Sequence, residues 1–168
     1  SGGQAMTAGT GAPGPGESRR LWVAPSPAGW AAIPSWEWLR ASVDGARSGT
    51  AVRAARVAGR LEECASLSHA EASARLRAVP GVGVWTAAEV AQRALGDPDS
   101  PSFGDYHVAK NITWALTGEV GDDVAMAELL EPYRGHRYRV QRLLELDGAM
   151  RPRRGPRMAP RTHLPTRR

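Results

Sequence analysis

The chain has 168 residues, of which 42% are hydrophobic, enough for one domain with a modest core. Its single cysteine excludes an intrachain disulfide and any multi-cysteine zinc or iron–sulfur centre, and points to a reduced, cytoplasmic setting. The formal net charge of +5 invites a nucleic-acid reading, yet seven of the 22 basic side chains and none of the 17 acids lie beyond residue 150. The body is therefore slightly acidic, and affinity for DNA has to come from local placement rather than bulk attraction. No apolar run is long enough to span a membrane, and the first residues lack the charged-then-apolar order of a secretory signal. Ala, Val and Leu dominate the apolar content, and large aromatics are mostly the six Trp. This composition predicts an all-α fold with a few aromatic anchors.

Residues 1–20 are rich in Gly, Ala and Pro without periodicity and read as a flexible linker. The helical body is expected over 21–148. Ser26-Pro27 reads as a cap followed by proline at the first helical position, opening a short helix to Ile33, and 34–39 predicts a second. Asp44 caps a long helix whose apolar side is Val52, Ala55, Val57, Leu61 and Ala65. Ser68-His69-Ala70-Glu71 matches a capping box, and the helix it opens sends Leu76 and Val79 to the core and stops at Pro80. The next helix covers 84–95 and is closed by Gly96. A loop rich in Asp, Pro and Ser follows to Gly104, then a helix over 105–117. Asp122 or Asp123 caps a further helix interrupted by Pro132, and 135–147 closes the body. Residues 149–168 form an Arg/Pro-rich tail.

The most informative stretch is Leu76-Arg77-Ala78-Val79-Pro80-Gly81-Val82-Gly83-Val84-Trp85-Thr86-Ala87. Proline ends one helix, Gly81 and Gly83 permit positive φ and close backbone approach, and Val82 points inward to pin the turn. The amides of the turn and of the following helix then face outward as an anion site reinforced by the helix dipole. A dinucleotide fingerprint is disfavoured, because the preceding segment looks helical and a third glycine is missing. An αα turn that merely needs glycine remains the plainer reading of the bare motif.

This segment resembles the helix-hairpin-helix DNA glycosylase superfamily, and within it the DNA-3-methyladenine glycosylase II type. The resemblance covers about 21–148 and is strongest between Leu76 and Asn111. It implies a helix-hairpin-helix helical bundle acting on double-stranded DNA with damaged bases, as a monomer, in base excision repair. Carried over, Gly81, Gly83 and Thr86 are the phosphate contacts, with a monovalent cation at the hairpin as the one cofactor implied. Asp105, in Ser102-Phe103-Gly104-Asp105-Tyr106-His107, matches the essential aspartate, which stabilises an oxocarbenium-like sugar and positions the attacking water.

Bifunctional relatives such as endonuclease III carry a Schiff-base lysine where this chain has Trp85. The only lysine is Lys110, so the resemblance implies a monofunctional enzyme. Trp85 is expected to line the base pocket, where an indole face attracts a cationic alkylated purine by about 0.5–2 kcal/mol. Such a base needs no general acid to leave, once flipped from the duplex. Taken singly, Trp85 also fits a helix interface and Asp105 a plain helix cap. The alternative function is a non-catalytic helix-hairpin-helix DNA-binding module or an inactive glycosylase fragment.

Other features carry less. The four histidines, at 69, 107, 136 and 163, have no metal-ligand spacing, so no metal is expected. Trp36 and Trp38 read as core or cleft wall, with core favoured, and Arg134, His136, Arg137 and Arg139 as a solvated basic face, with contact to DNA backbone as the alternative. The sheet domain and wedge-bearing helical segment that the resemblance implies are not found, and the linker-like start suggests that the chain begins after them.

Overall fold

The structure is a computed structural model that describes residues 23–148; the expected linker and the Arg/Pro-rich tail lie outside the described residues. Nine α-helices and two 3-10 turns, with no strand, make up the described part, so the all-α expectation holds. Helix α1 (Pro27–Ala32) begins as expected, with the Gly29 amide donating to Ser26 Oγ at 3.1 Å. Helix α2 (Ser35–Arg40) follows, and Trp30 and Trp38 stack with centroids 5.4 Å apart. Trp38 is buried as expected. Trp36 is not: it is exposed, with the Arg40 guanidinium over its ring.

Asp44 caps α3 (Gly45–Arg56) by accepting from the Arg47 amide at 2.9 Å, but the long helix breaks at Val57, where φ is −112° and ψ is 18°. A short α4 (Ala58–Glu62) and a 3-10 turn, Glu63–Ser66, carry the chain on. The expected apolar side is not one face. Val57 and Ala65 are exposed, and Cys64 takes the core position instead. No residue of α3 is fully buried, so little packing energy holds a straight helix through Val57. The break rotates Leu61 and Cys64 towards the next helix.

Helix α5 (His69–Arg77) has the reciprocal capping box, with the Ser68 amide donating to Glu71 Oε2 at 3.0 Å and the Glu71 amide to Ser68 Oγ at 3.4 Å. The Ser68 hydroxyl also donates to that carboxylate and holds the Glu71 carboxyl below its usual range. The helix ends at Arg77, short of Pro80, because the residue before a proline disfavours helical geometry. Val79 leaves the helix and turns inward.

After the hairpin come α6 (Val84–Ala94), α7 (Val108–Thr117), α8 (Asp123–Leu130), a 3-10 turn at Glu131–Tyr133 and α9 (Arg137–Asp147). The cap of α8 is Asp122, whose Oδ1 accepts from Val124 and Ala125 at 3.1 and 3.0 Å. Two apolar clusters result. Cys64, Ala72, Leu76 and Ala87 join α5 to α6, with Val82 packed against them. Ala109, Ile112, Met126 and Leu130 join α7, α8 and α9. Each large side chain fully buried there stabilises the fold by about 1.5–3 kcal/mol. Between the clusters Gln92 of α6 and Gln141 of α9 both donate to Ser102 of the intervening loop, and a cleft opens there.

Candidate functional site

The hairpin is pressed onto α3. Arg53 Nε donates to the Pro80 carbonyl at 2.9 Å, and its Nη2 donates to Thr50 Oγ1 at 3.0 Å. Gly81 has φ +96°, and a Cβ there would lie 2.1 Å from Thr50 Oγ1, so only glycine fits. Gly83 departs from expectation. Its φ of −91° and ψ of −175° suit any residue, and a Cβ would meet nothing within 4 Å. Neither backbone angle nor internal packing requires glycine at 83. The amides of Gly81, Gly83, Val84, Trp85 and Thr86 donate to no described residue, which leaves a row of N–H groups at the start of α6.

Trp85, one residue inside α6, and Asp105, in the turn before α7, line the same cleft of about 370 Å³, a size suited to one flat heterocycle. Trp85 is 44% exposed, so it is cleft wall rather than helix interface. Helix α7 starts at Val108 rather than at 105, because Asp105 Oδ1 accepts from the His107 and Val108 amides at 2.7 and 2.9 Å. Asp105 thus braces the turn that leads into α7, whose N-cap position is His107; its Oδ2 accepts from no described residue, leaving a carboxylate oxygen for a ligand.

The loop that delivers Asp105 is fastened at both ends. Asp97 accepts from the Asp99 amide at 2.8 Å and the Ser100 hydroxyl at 2.5 Å, and pairs with His69 at 3.2 Å. The Tyr138 amide of α9 donates to the Pro98 carbonyl at 3.0 Å. Ser102 N donates to Gln141 Oε1 at 2.9 Å, and Gly104 N to Asp123 Oδ2 at 2.9 Å. A site on a loop needs such support to hold its reactive group in place.

Arg137, expected on a solvated basic face, is instead a fastener. It donates to Asp99 through Nε at 2.8 Å, Nη2 at 2.6 Å and its amide at 3.0 Å. Its hydrogen-bonded guanidinium holds the Asp99 carboxyl down at about 2, from 3.8. A depressed carboxyl contributes stability above its unfolded value that disappears as pH falls through the folded one. The shift amounts to about 2 kcal/mol, lost between about pH 4 and pH 2. Asp99→Asn is expected to lose that much at neutral pH and to flatten the acid limb, as read by urea unfolding across a pH series. Of the neighbouring basic groups, Arg134 pairs with Glu131, and Arg139 contacts His136.

Sequence reasoning missed Glu89, Gln92, Ser102, Gln141 and Glu145, which also line the cleft. Glu89 was within reach, because it lies one helical turn after Trp85 on the same face of α6. Lys110 sits over the exposed Tyr106 ring at 3.8 Å. No grouping of described residues could hold a metal ion, and no described helix is long and apolar enough to cross a membrane. No family model, curated protein or solved structure matches the chain.

Proposed function

We propose that the chain is the helical domain of a monofunctional helix-hairpin-helix DNA glycosylase, releasing alkylated purines of the 3-methyladenine type from duplex DNA. One observation carries this reading: Trp85 and Asp105 line one cleft of about 370 Å³, and Trp85 also belongs to the row of hairpin amides that donate to no described residue. The amides of Gly81, Gly83 and Thr86 hold a phosphodiester, and the flipped base enters beside the indole. The glycosidic pair leaves with the base nitrogen, neutralising a cationic base, and positive charge develops on the sugar. Asp105 Oδ2 stabilises that charge, orients a water for attack on the anomeric carbon and takes its proton. No lysine adjoins the hairpin to form a Schiff base, so the strand is left unbroken.

A monovalent cation at the hairpin would share the turn carbonyls with the fold, the Gly81 and Val82 carbonyls accepting from no described residue. Pro80 O already accepts from a guanidinium, and Val79 O from the Val82 amide at 3.0 Å. No step is routed through such an ion.

The test is chromatographic recovery of free methylpurines from methylated duplex DNA, with intact strands and no borohydride-trapped complex. Duplex binding without any base release would favour the binding-only module, in which Asp105 serves solely to brace the turn before α7 through its Oδ1. Gly83 supplies a second check. Gly83→Ala meets no internal obstacle, and the gain in chain entropy is offset by the poorer N-cap that alanine makes for α6, so stability is expected to stay within about 1 kcal/mol. Its methyl group stands where the phosphate approaches, so duplex affinity is expected to fall about tenfold in fluorescence anisotropy. Unchanged affinity would remove the hairpin from the DNA interface.

A further inference from the structure

The cleft is closed on one side by a hydrogen-bonded array that spends its donors internally. Gln92 Nε2 donates to Ser100 O at 2.7 Å and Ser102 Oγ at 3.0 Å, which uses both its hydrogens. Gln141 Nε2 likewise donates to Ser102 Oγ at 3.1 Å and Glu145 Oε1 at 2.9 Å. The Ser102 hydroxyl donates to Glu89 Oε1 at 2.7 Å, so its one proton is committed as well. Ser102 and Gln141 are both 2% exposed, and the array is built into the packing rather than laid on it.

What this wall can still offer a ligand is acceptor capacity on Glu89, Glu145 and Gln141 Oε1. The Glu89 and Glu145 side chains are 23% and 22% exposed, whereas their partners Arg93 and Arg142 are 66% and 53% exposed. The guanidinium charges are therefore screened by water more than the carboxylates are. With Asp105 included, the lining holds three carboxylates against two solvated arginines. Donors also remain on the guanidinium groups of Arg93 and Arg142, both more than half exposed, on the Tyr138 hydroxyl and on the Trp85 indole N–H. A matching ligand brings N–H groups and positive charge; a neutral ring whose edge is a carbonyl meets lone pairs instead.

We propose that Glu89 and Glu145 are the specificity-determining residues of this cleft, selecting a cationic, amino-bearing purine over a neutral oxo-purine. The inference rests on the glycosylase reading for the identity of the ligand, but its test does not require turnover. The probes are free nucleosides: 1-methyladenosine, cationic at neutral pH with N–H on its exocyclic nitrogen, and inosine, neutral with an oxo group. Calorimetric titration of the full chain is expected to give about tenfold or greater preference for 1-methyladenosine, the scale of one charge-assisted hydrogen bond. Glu89→Gln and Glu145→Gln keep the side-chain shape and the oxygen that accepts from Ser102 or Gln141. Each is expected to collapse the preference several-fold while leaving the thermal midpoint in place.

The readout is a ratio between two ligands, which general loosening of the array would not move in one direction. No preference in the unsubstituted chain, or a ratio unchanged in both variants, overturns the assignment. Base release measured alongside separates the two claims. Release with an unchanged ratio sinks the specificity assignment alone, whereas discrimination without release sinks hydrolysis and leaves the selective cleft standing.

Discussion

Asp105→Asn is expected to lower release of methylated purines from duplex DNA by about a thousandfold, the scale of losing a positioned base together with a transition-state charge. The substitution separates two duties of one side chain. Asparagine braces such a turn as well as aspartate does, so the amide oxygen continues to accept from His107 and Val108. Stability is expected to stay within about 1 kcal/mol, the loss being the charge–dipole attraction at the start of α7. The second carboxylate oxygen is replaced by a neutral amide nitrogen, which neither stabilises a cationic sugar nor takes a proton from water. Single-turnover release on methylated duplex, paired with thermal melts of both proteins, measures the two duties separately. Equal release by both forms would end the catalytic assignment. A large loss of stability would mean that the charge of Asp105 serves the fold first.

The second large effect is structural. Gly81→Ala is expected to destabilise the domain by about 3 kcal/mol or more, by combining an unfavourable positive φ with overpacking. Gly81 sits at φ +96°, and the added Cβ would lie 2.1 Å from Thr50 Oγ1 and 3.2 Å from Thr50 Cβ. Thr50 has little room to yield, because its hydroxyl donates to Ala46 O at 2.8 Å and accepts from Arg53 Nη2 at 3.0 Å. Arg53 in turn holds the Pro80 carbonyl, so displacing Thr50 disturbs the clamp on the hairpin itself. A fall in thermal midpoint of about 10 °C is expected in scanning calorimetry. Adding Thr50→Ala should recover the part due to collision and leave the part due to φ. If Gly81→Ala melts where the unsubstituted chain does, the hairpin is not seated on α3 as described. The contrast with Gly83→Ala is informative: one glycine is demanded from inside the fold, and the other is left open to whatever approaches from outside.

Local chemistry made much of the chain legible. Ser26-Pro27, Asp44, Ser68 with Glu71, and Asp122 mark helix ends because the groups they satisfy lie within a turn or two of sequence. The hairpin is equally local, and Val82 packs inward as its flanking glycines imply. The break at Val57 was not legible, since an Ala-rich segment with nothing fully buried gives periodicity no apolar face to register.

The sequence by itself determined an all-helical body, its caps, the glycine turn, and the short spacing that keeps Trp85 and Asp105 within one helix and one loop of each other. Only the tertiary structure decided that these two side chains open onto a common cleft, that Arg137 fastens the loop, and which residues wall the site. The pairings responsible run from Asp99 to Arg137 and from Ser102 to Gln141, across 38 and 39 residues. A side-chain hydrogen bond over that distance leaves no periodic trace along the chain. It exists because the α7–α9 cluster sets α9 beside the loop, where buried polar atoms must find partners or cost about 1–3 kcal/mol each.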